Sequence, residues 1–374
     1  MRTIRALSIP FLCAALALLL ALSHARTEDQ LDDPIVIRFS HVVSEDSAKG
    51  IGAELLKKRV EERLAGKVRV EVYPRSQKFT DTQVVTALLF GDIEMAAPSF
   101  AKLAPYAASL TVFDLPFLFP DVEAVHRFQG SPSGQKLLNA MRPVGIKGLA
   151  FWDNGMRVVS SDRSLQRPSD ASGLSFRIEP SAVFHAQYAS LGAVPRPMPF
   201  KLLIDALRQG LVNGQENTWS NIYAQGVHRF HKHFTELNHS FLGYMVITSD
   251  QFWAGLPPEI RVKLEQILAE VSADVNRRAA EQARDHRAKL IGTEGIEIVR
   301  PTPDALHEWR AAMCPVWNRF APDVERDVMM AAVDDGSMEV VRSDAPTTAV
   351  QHTHVGTYYV GAADEAALCL SAYR

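Results

Sequence analysis

The residues with the clearest chemical potential are arginines that follow short apolar strands. In Leu174-Ser-Phe-Arg-Ile178, alternation sends Leu174, Phe176 and Ile178 to one face of a strand and Ser175 and Arg177 to the other, and Glu179-Pro180-Ser181 then opens a helix. An arginine at the carboxyl end of an inner strand faces the region where α/β sheets hold ligands. Its planar fork grips a carboxylate through two parallel hydrogen bonds, which a lysine cannot reproduce. An internal salt bridge, to Glu179 or Glu216, is the competing use of the same charge. Gly155-Met-Arg157, after Phe151-Trp-Asp-Asn154, presents a second arginine with the same two uses. Gly214-Gln-Glu-Asn217 places a carboxamide and a carboxylate in a loop after a strand, where Asn217 either donates to a ligand oxygen or caps the following turn.

Histidines are densest in Val227-His-Arg-Phe-His-Lys-His-Phe234, with His239 beyond. Arg229 and Lys232 lie among them and oppose a cation, so the cluster reads as a solvated helix face or turn, and neither a metal nor a cofactor is expected. The sequence has no G-x-S-x-G elbow, P-loop, G-x-G-x-x-G or H-E-x-x-H motif. Charge excludes another class. The 374 residues are 47% apolar and 22% charged, with 40 Lys and Arg against 43 Asp and Glu and no long basic run, so no positive field exists for a nucleic-acid backbone. Cys13, Cys314 and Cys369 form neither a zinc pattern nor a disulfide framework, although Cys314 and Cys369 could pair in an oxidising compartment.

The elements that must position these residues begin after an export signal. Arg2 and Arg5 precede an apolar run from Ala6 to Leu22, which ends at Ser23-His24-Ala25, a small-x-small site followed at once by a polar stretch. Residues 1–25 therefore read as a cleaved signal peptide, and the mature chain as exported and soluble. Ile35 to Ser40, an apolar-periodic helix with Ile51, Leu55, Leu56, Val60 and Leu64, and Val68 to Tyr73 form a β-α-β opening. Thr80 to Phe90 reads as a helix stopped by Gly91, and Ile93 to Ala97 as a strand leading to Pro98-Ser99. Alternating strands and helices predict a mostly parallel sheet covered on both faces. The same helix-glycine-strand-loop unit recurs from Asp205 to Thr218 at a constant offset of 119 residues, although identity is limited to an Ala-Leu pair and the glycine. Pro258 to Leu290 reads either as one helix of roughly 50 Å, long enough to brace two lobes, or as two helices with a break.

Taken in order, Ser40-His-Val-Val43, Phe151-Trp-Asp-Asn-Gly-Met-Arg157, Gly173-Leu-Ser-Phe-Arg177, Pro197-Met-Pro-Phe200, Asn213-Gly-Gln-Glu-Asn217, Asn221-Ile-Tyr-Ala-Gln225, Phe241-Leu-Gly-Tyr244 and Phe252-Trp253 resemble the solute-binding proteins of tripartite ATP-independent periplasmic (TRAP) transporters, the dicarboxylate-binding DctP-type branch above all. The resemblance covers roughly residues 34 to 324. It implies an α/β, two-lobed periplasmic solute-binding fold with hinge strands and a long helix spanning both lobes. Lobe one is expected from 34–154 plus 243–282 and lobe two from 155–242 plus 283–324. The implied function is capture of an organic anion, a C4-dicarboxylate by the branch, and delivery by a monomeric receptor to membrane permease subunits driven by an ion gradient.

Carried over by position, Arg177 resembles the arginine that clamps the ligand carboxylate, Asn217 the asparagine beside it, and Arg157 a second cationic contact. Asn154, Lys49 and Ser99 resemble further contacts from lobe one and the hinge, with Lys49 facing Arg177 across the cleft to favour a dianion. Ser175 stands where lysine is common and Asn213 where aspartate is usual, and both could alter the ligand. The final family helix is expected from Ala305 to Val324. Beyond it, Glu325 to Arg374 carries no motif, and an extension packed on lobe two or a disordered tail are both open. An exported enzyme that uses Glu216 or His239 as acid and base, or a ligand-sensing subunit of a membrane signalling protein, are the alternative functions.

Overall fold

The structure, a computed structural model, describes residues 33–335. The expected signal peptide, Cys369 and most of the C-terminal extension lie outside the described residues. The chain builds two sheets. The first joins β1 (Ile35–Ser40), β2 (Val68–Tyr73), β3 (Met95–Ala96), β4 (Ile146–Met156) and β10 (Phe241–Ser249) in the order β2-β1-β3-β10-β4. The second joins β5 (Val158–Ser161), β6 (Ser175–Ile178), β7 (Val194–Pro197), β8 (Gly214–Asn217), β9 (His233–Thr235) and β11 (Glu297–Val299) in the order β11-β9-β5-β8-β6-β7. Each sheet anchors one lobe.

Both sheets are mostly parallel, as the sequence predicts, with one strand reversed in each. In the first sheet β1 runs parallel to β2 and β3, but β10 runs antiparallel to β3 and β4. In the second, β6 lies parallel to β7 and β8, whereas β5 is antiparallel to β8 and β9. The reversed strands adjoin the two crossings between lobes. The chain leaves the first sheet between Met156 and Val158 and returns between Thr235 and Phe241. Gly155 makes the first crossing possible: at φ 141° it adopts a conformation that a side chain would strain, one residue before β4 ends.

The repeated unit is real in three dimensions. Helix Val84–Leu89 and helix Leu203–Arg208 each end near a glycine in the left-handed region, Gly91 at φ 75° and Gly210 at φ 65°, and each leads to a strand, β3 or β8, with a loop beyond. The segments after β3 and β8 carry Pro98-Ser99 and Thr218, and each leads into a helix, Phe100–Leu103 or Trp219–Gln225. Leu174, Phe176 and Ile178 are buried in the second lobe's core as alternation requires.

Both faces of the first sheet are covered. Ile37, Phe39 and Trp152 pack with the helix Ala48–Arg63 and the long helix, while Phe113, Phe128, Met245 and Ile247 fill the opposite face. The long helix runs unbroken from Pro258 to Ile291, 34 residues or about 51 Å, which decides between the two sequence readings. It packs on Ala48–Arg63 and β4 in the first lobe and on helix Trp219–Gln225 in the second.

The helix Pro303–Phe320 also serves both lobes. Trp309 and Met313 pack in the second, but Val316, Trp317 and Phe320 join the first lobe's core, and the Trp317 indole donates to the Pro116 carbonyl at 3.0 Å. The sequence had this stretch in lobe two; its apolar stripe is long enough to reach past the boundary. The following helix, Arg326–Asp335, likewise packs on lobe one, against helices Val122–Gly130 and Pro132–Lys136, with Val328, Ala332 and Val333 buried. It does not pack on lobe two. Truncating Val328 to Ala removes buried apolar surface worth about 1–2 kcal/mol, so the thermal midpoint is expected to fall by a few degrees. No shift would show that this helix adds nothing to the core.

Candidate ligand-binding site

A cleft between the lobes holds about 550 Å³ of empty space, counting solvent at its mouth. Strand ends and the turns and helix starts that follow them form it. Ser76, Thr80, Asp81, Ser99 and Lys102 come from the first lobe, and Arg157, Arg177, Phe200, Asn217 and Asn221 from the second, with Tyr244 of β10 at the seam. Of the residues singled out in the sequence, the structure thus brings together Arg177, Asn217, Arg157 and Ser99.

The two arginines divide the two uses open to them. Arg157 follows β4, is 1% exposed, and donates from Nη2 to Glu179 at 2.7 Å and from Nη1 to Glu216. Burial opposes its charge, but Glu216 and Glu179 outweigh burial and raise its pKa further above the ordinary guanidinium value. Arg177 forms no ion pair among the described residues. Its Nε and Nη2 donate to the Met198 carbonyl at 3.1 and 2.9 Å, which orients the fork and leaves the Nη1–Nη2 edge for a carboxylate. Burial lowers its pKa, although Glu216 and Glu179 pull the other way. The salt bridge weighed for Arg177 is therefore made by Arg157, because β4 delivers Arg157 between the two glutamates.

Asn217 ends β8. Its Oδ1 accepts from the Thr218 amide at 2.9 Å and from Asn221 Nδ2 at 2.8 Å, so its own Nδ2 is the donor left over. Ser99 donates to Glu179, across the cleft from its own lobe. Lys49 and Asn154 do not line the cleft, and the expectation that Lys49 faces Arg177 is corrected. The Lys49 ammonium donates to the Ala97 carbonyl at 2.9 Å and sits 3.6 Å from the centre of the Tyr244 ring. Burial pushes its pKa down to about 8. Asn154 stands behind the same wall, bonded to Thr218, Asn221 and Tyr244.

Two charged cleft residues escaped the sequence reading. Lys102 donates to Glu179 at 3.0 Å and to the Pro180 carbonyl at 2.9 Å, an ion pair that crosses from one lobe to the other. Burial raises the Glu179 carboxyl, but Lys102 and Arg157 outweigh it and hold the group well below the usual carboxylate range. The signal was present in the sequence, three residues after Ser99 at the start of a helix, yet one lysine among 40 basic residues does not announce itself. Asp81, in the turn before helix Val84–Leu89, was equally silent.

Other candidates disperse. His231 bonds Ser160 at 3.1 Å, His233 pairs with Glu297, and His228 stacks on Tyr223. Among the described residues no group of three or more His, Cys, Asp and Glu converges as a metal site would. Asn213 and Ser175 bond one another, Asn213 Oδ1 accepting from the Ser175 amide at 3.1 Å, and neither lines the cleft.

Comparison with known proteins identifies the family. The profile of the bacterial extracellular solute-binding proteins, family 7 (DctP), matches residues 39–323. The chain belongs to this family. It is 42% identical over 300 residues to the C4-dicarboxylate-binding periplasmic protein DctP of Vibrio cholerae serotype O1, covering 80% of this chain and 90% of the relative. The corresponding DctP of Rhodobacter capsulatus is 39% identical over 83% of this chain and 94% of its own. Among solved structures, a TRAP periplasmic solute-binding protein from Shewanella oneidensis with bound succinate superposes with a TM-score of 0.79 at 42% identity, covering 81% of this chain and all of that one. One from Pseudomonas aeruginosa with bound L-malate gives 0.74 at 46% identity, covering 77% of this chain and all of that one. Along the described residues of this DctP-family chain, no helix is long and apolar enough to cross a membrane.

The seam behind the cleft carries a titrating group. The Asp114 backbone carbonyl accepts from Gln187 of the second lobe at 2.7 Å, while its Oδ2 is buried without a partner. Burial pushes the carboxyl up to about 8, against the pull of Arg157. Between the unfolded value near 3.8 and the folded value, the folded protein keeps a proton that the unfolded chain has released, so stability falls as pH rises from about 4 to 8. Asp114→Asn imitates the protonated form. Melting curves at pH 5, 6.5 and 8 are expected to show the variant gaining on the parent as pH rises, and a constant difference would show that Asp114 does not titrate in this window.

Proposed function

We propose that this protein is a periplasmic receptor that captures an organic acid dianion, of the C4-dicarboxylate class, in a closing cleft and hands it to a TRAP-type permease. The observation that carries the reading is the unequal pairing of the two cleft arginines. Arg157, Lys49 and Lys102 face three carboxylates, Glu179, Glu216 and Asp81, and Arg177 supplies the fourth positive charge. A buried cation without a counter-ion is costly, and a ligand carboxylate removes that cost. One carboxylate of the ligand would lie on the Nη1–Nη2 edge of Arg177 with Asn217 Nδ2 beside it. The other would extend toward Lys102, which takes the place first given to Lys49. The relatives named for C4-dicarboxylates and the solved relatives holding succinate and L-malate support this ligand class.

Binding without chemistry fits the same placement. Glu216 is locked to Arg157, and His239 is fully buried, its pKa brought to about 3 by burial and by Arg157. Neither reaches the cleft wall, so the acid and base of the enzyme alternative are shut away from any ligand. Export through cleavage of residues 1–25, a monomeric receptor and the absence of a nucleic-acid partner belong to the same proposal. Closure would proceed from the Arg177 lobe, where the ligand lands first, to contacts from the Lys102 lobe.

The deciding experiment is a thermal-shift screen of the mature chain against succinate, fumarate, L-malate, 2-oxo acids, uronates and sialic acid. At a hundredfold excess over Kd a ligand stabilises by about 2.7 kcal/mol, and the C4-dicarboxylates are expected to give the largest shifts. A larger shift with a uronate than with every C4 acid would remove the dicarboxylate reading. Replacing Arg177 with Lys is expected to weaken the best ligand by about 10- to 100-fold in calorimetry while leaving the apo melting point unchanged. Unchanged affinity would show that Arg177 is not the clamp.

A further inference from the structure

Asp81 sits oddly in an anion site. Its side chain lines the cleft, and its Oδ1 is shut off from solvent without a hydrogen-bond partner. It is not needed to shape its own turn, because the Thr80 carbonyl accepts from the Gln83 and Val84 amides, and Gln83 Oε1 accepts from the Thr80 amide at 3.0 Å. No lysine hydrogen-bonds Asp81: Lys102 is bonded to Glu179 and Pro180 and Lys49 to Ala97, and both act on it only as nearby charges. Buried carboxylate oxygens are normally paired, so the missing donor is one that arrives with the ligand.

An ionised dicarboxylate such as succinate brings only acceptors at its ends and apolar CH₂ groups between them. Against Asp81 it offers nothing to accept, and a second carboxylate there would face a like charge. A hydroxyl on the carbon chain is a donor and matches the vacancy. An ammonium would also donate, but the cleft wall carries Lys102, Arg157 and Arg177, the last with no ion pair among the described residues, and that excess positive charge disfavours a ligand cation. Burial, with Glu179, raises the Asp81 carboxyl above its ordinary value while Lys49, Lys102 and the Ser99 backbone amide pull it back, and in either protonation state the group keeps an oxygen that accepts from a hydroxyl.

We infer that Asp81 is a specificity-determining residue that accepts a hydrogen bond from a hydroxyl on the ligand, so that the site selects hydroxylated dicarboxylates over bare ones. This rests on the dicarboxylate reading above and sharpens it. A hydrogen bond to a charged acceptor corresponds to about 10- to 100-fold in affinity, and a polar group left unpaired by the wrong ligand adds to the discrimination.

Calorimetric titration of succinate and L-malate into the full mature chain and into Asp81→Asn and Asp81→Ala tests the assignment. The parent is expected to bind L-malate at least about tenfold more tightly than succinate. Both variants are expected to bind succinate at least as well as the parent, which also shows that they fold, and to lose the preference to within about threefold. A malate-to-succinate ratio preserved in both variants would overturn the assignment, as would equal affinities in the parent, equal loss of both ligands in the variants, or a parent that prefers L-aspartate to L-malate. If the parent bound neither dicarboxylate, the ligand class itself would fall and this assignment with it, an outcome distinct from an unchanged ratio.

Discussion

A guanidinium buried to 1% exposure has to be neutralised where it stands, and the meeting of the two lobes is arranged around that requirement at Arg157. The residue lies on the first crossing between the sheets. Glu216 reaches it from β8 and Glu179 from the loop after β6, two strands that lie side by side in the second lobe. Glu179 is then shared with Ser99 and Lys102 of the first lobe. One cation thereby fixes the ends of two strands, and one of its counter-ions holds the lobes against each other.

This pairing leaves Arg177 as the group whose charge the protein does not itself answer. Arg157 and Arg177 have the same chemistry and both are buried, yet one is held by two carboxylates and the other has no ion pair among the described residues. Their backbone positions make the difference. Arg157 follows the residue that ends β4 and enters the gap between Glu216 and Glu179. Arg177 sits on β6, one strand further over, with only the Met198 carbonyl to accept from it. Asn217 gains its role the same way, because Thr218 and Asn221 consume its carbonyl and leave its amide nitrogen. Lys49 shows the converse. A cation of suitable type was turned to the Tyr244 face, and Lys102, on the short helix Phe100–Leu103 that follows β3, occupies the cleft wall in its stead.

Much of the architecture was legible in the residues. Period-2 alternation located β1, β2 and β6, glycines marked the ends of the paired helices, and the Pro257-Pro258 start and Gly292 stop bracketed the long helix. The one reversed strand in each sheet was not legible. A strand's apolar pattern is the same whether its neighbour runs parallel or antiparallel, so β5 and β10, which reverse the order, looked like any other strand. The path of the last described helices was hidden for a related reason: the apolar stripe of Pro303–Phe320 records that a face is buried, not which lobe buries it.

The sequence by itself determined the kind of protein: motifs in order along about 290 residues, an α/β alternation, and arginines at strand ends with a glutamate and an asparagine in Gly214-Gln-Glu-Asn217, read as a loop but folded as β8. Local spacing decides which face of a strand a side chain takes, and that is enough to aim Arg177 and Asn217 at a cleft. Only the tertiary structure decided which charges meet. Glu179 and Glu216 are 37 residues apart and Lys102 lies 77 before Glu179, so their grouping around Arg157 depends on the crossing of the lobes and the neighbouring of β6 and β8. Charges separated by so much chain carry no pattern that spacing can reveal, and their pairing is a property of the fold.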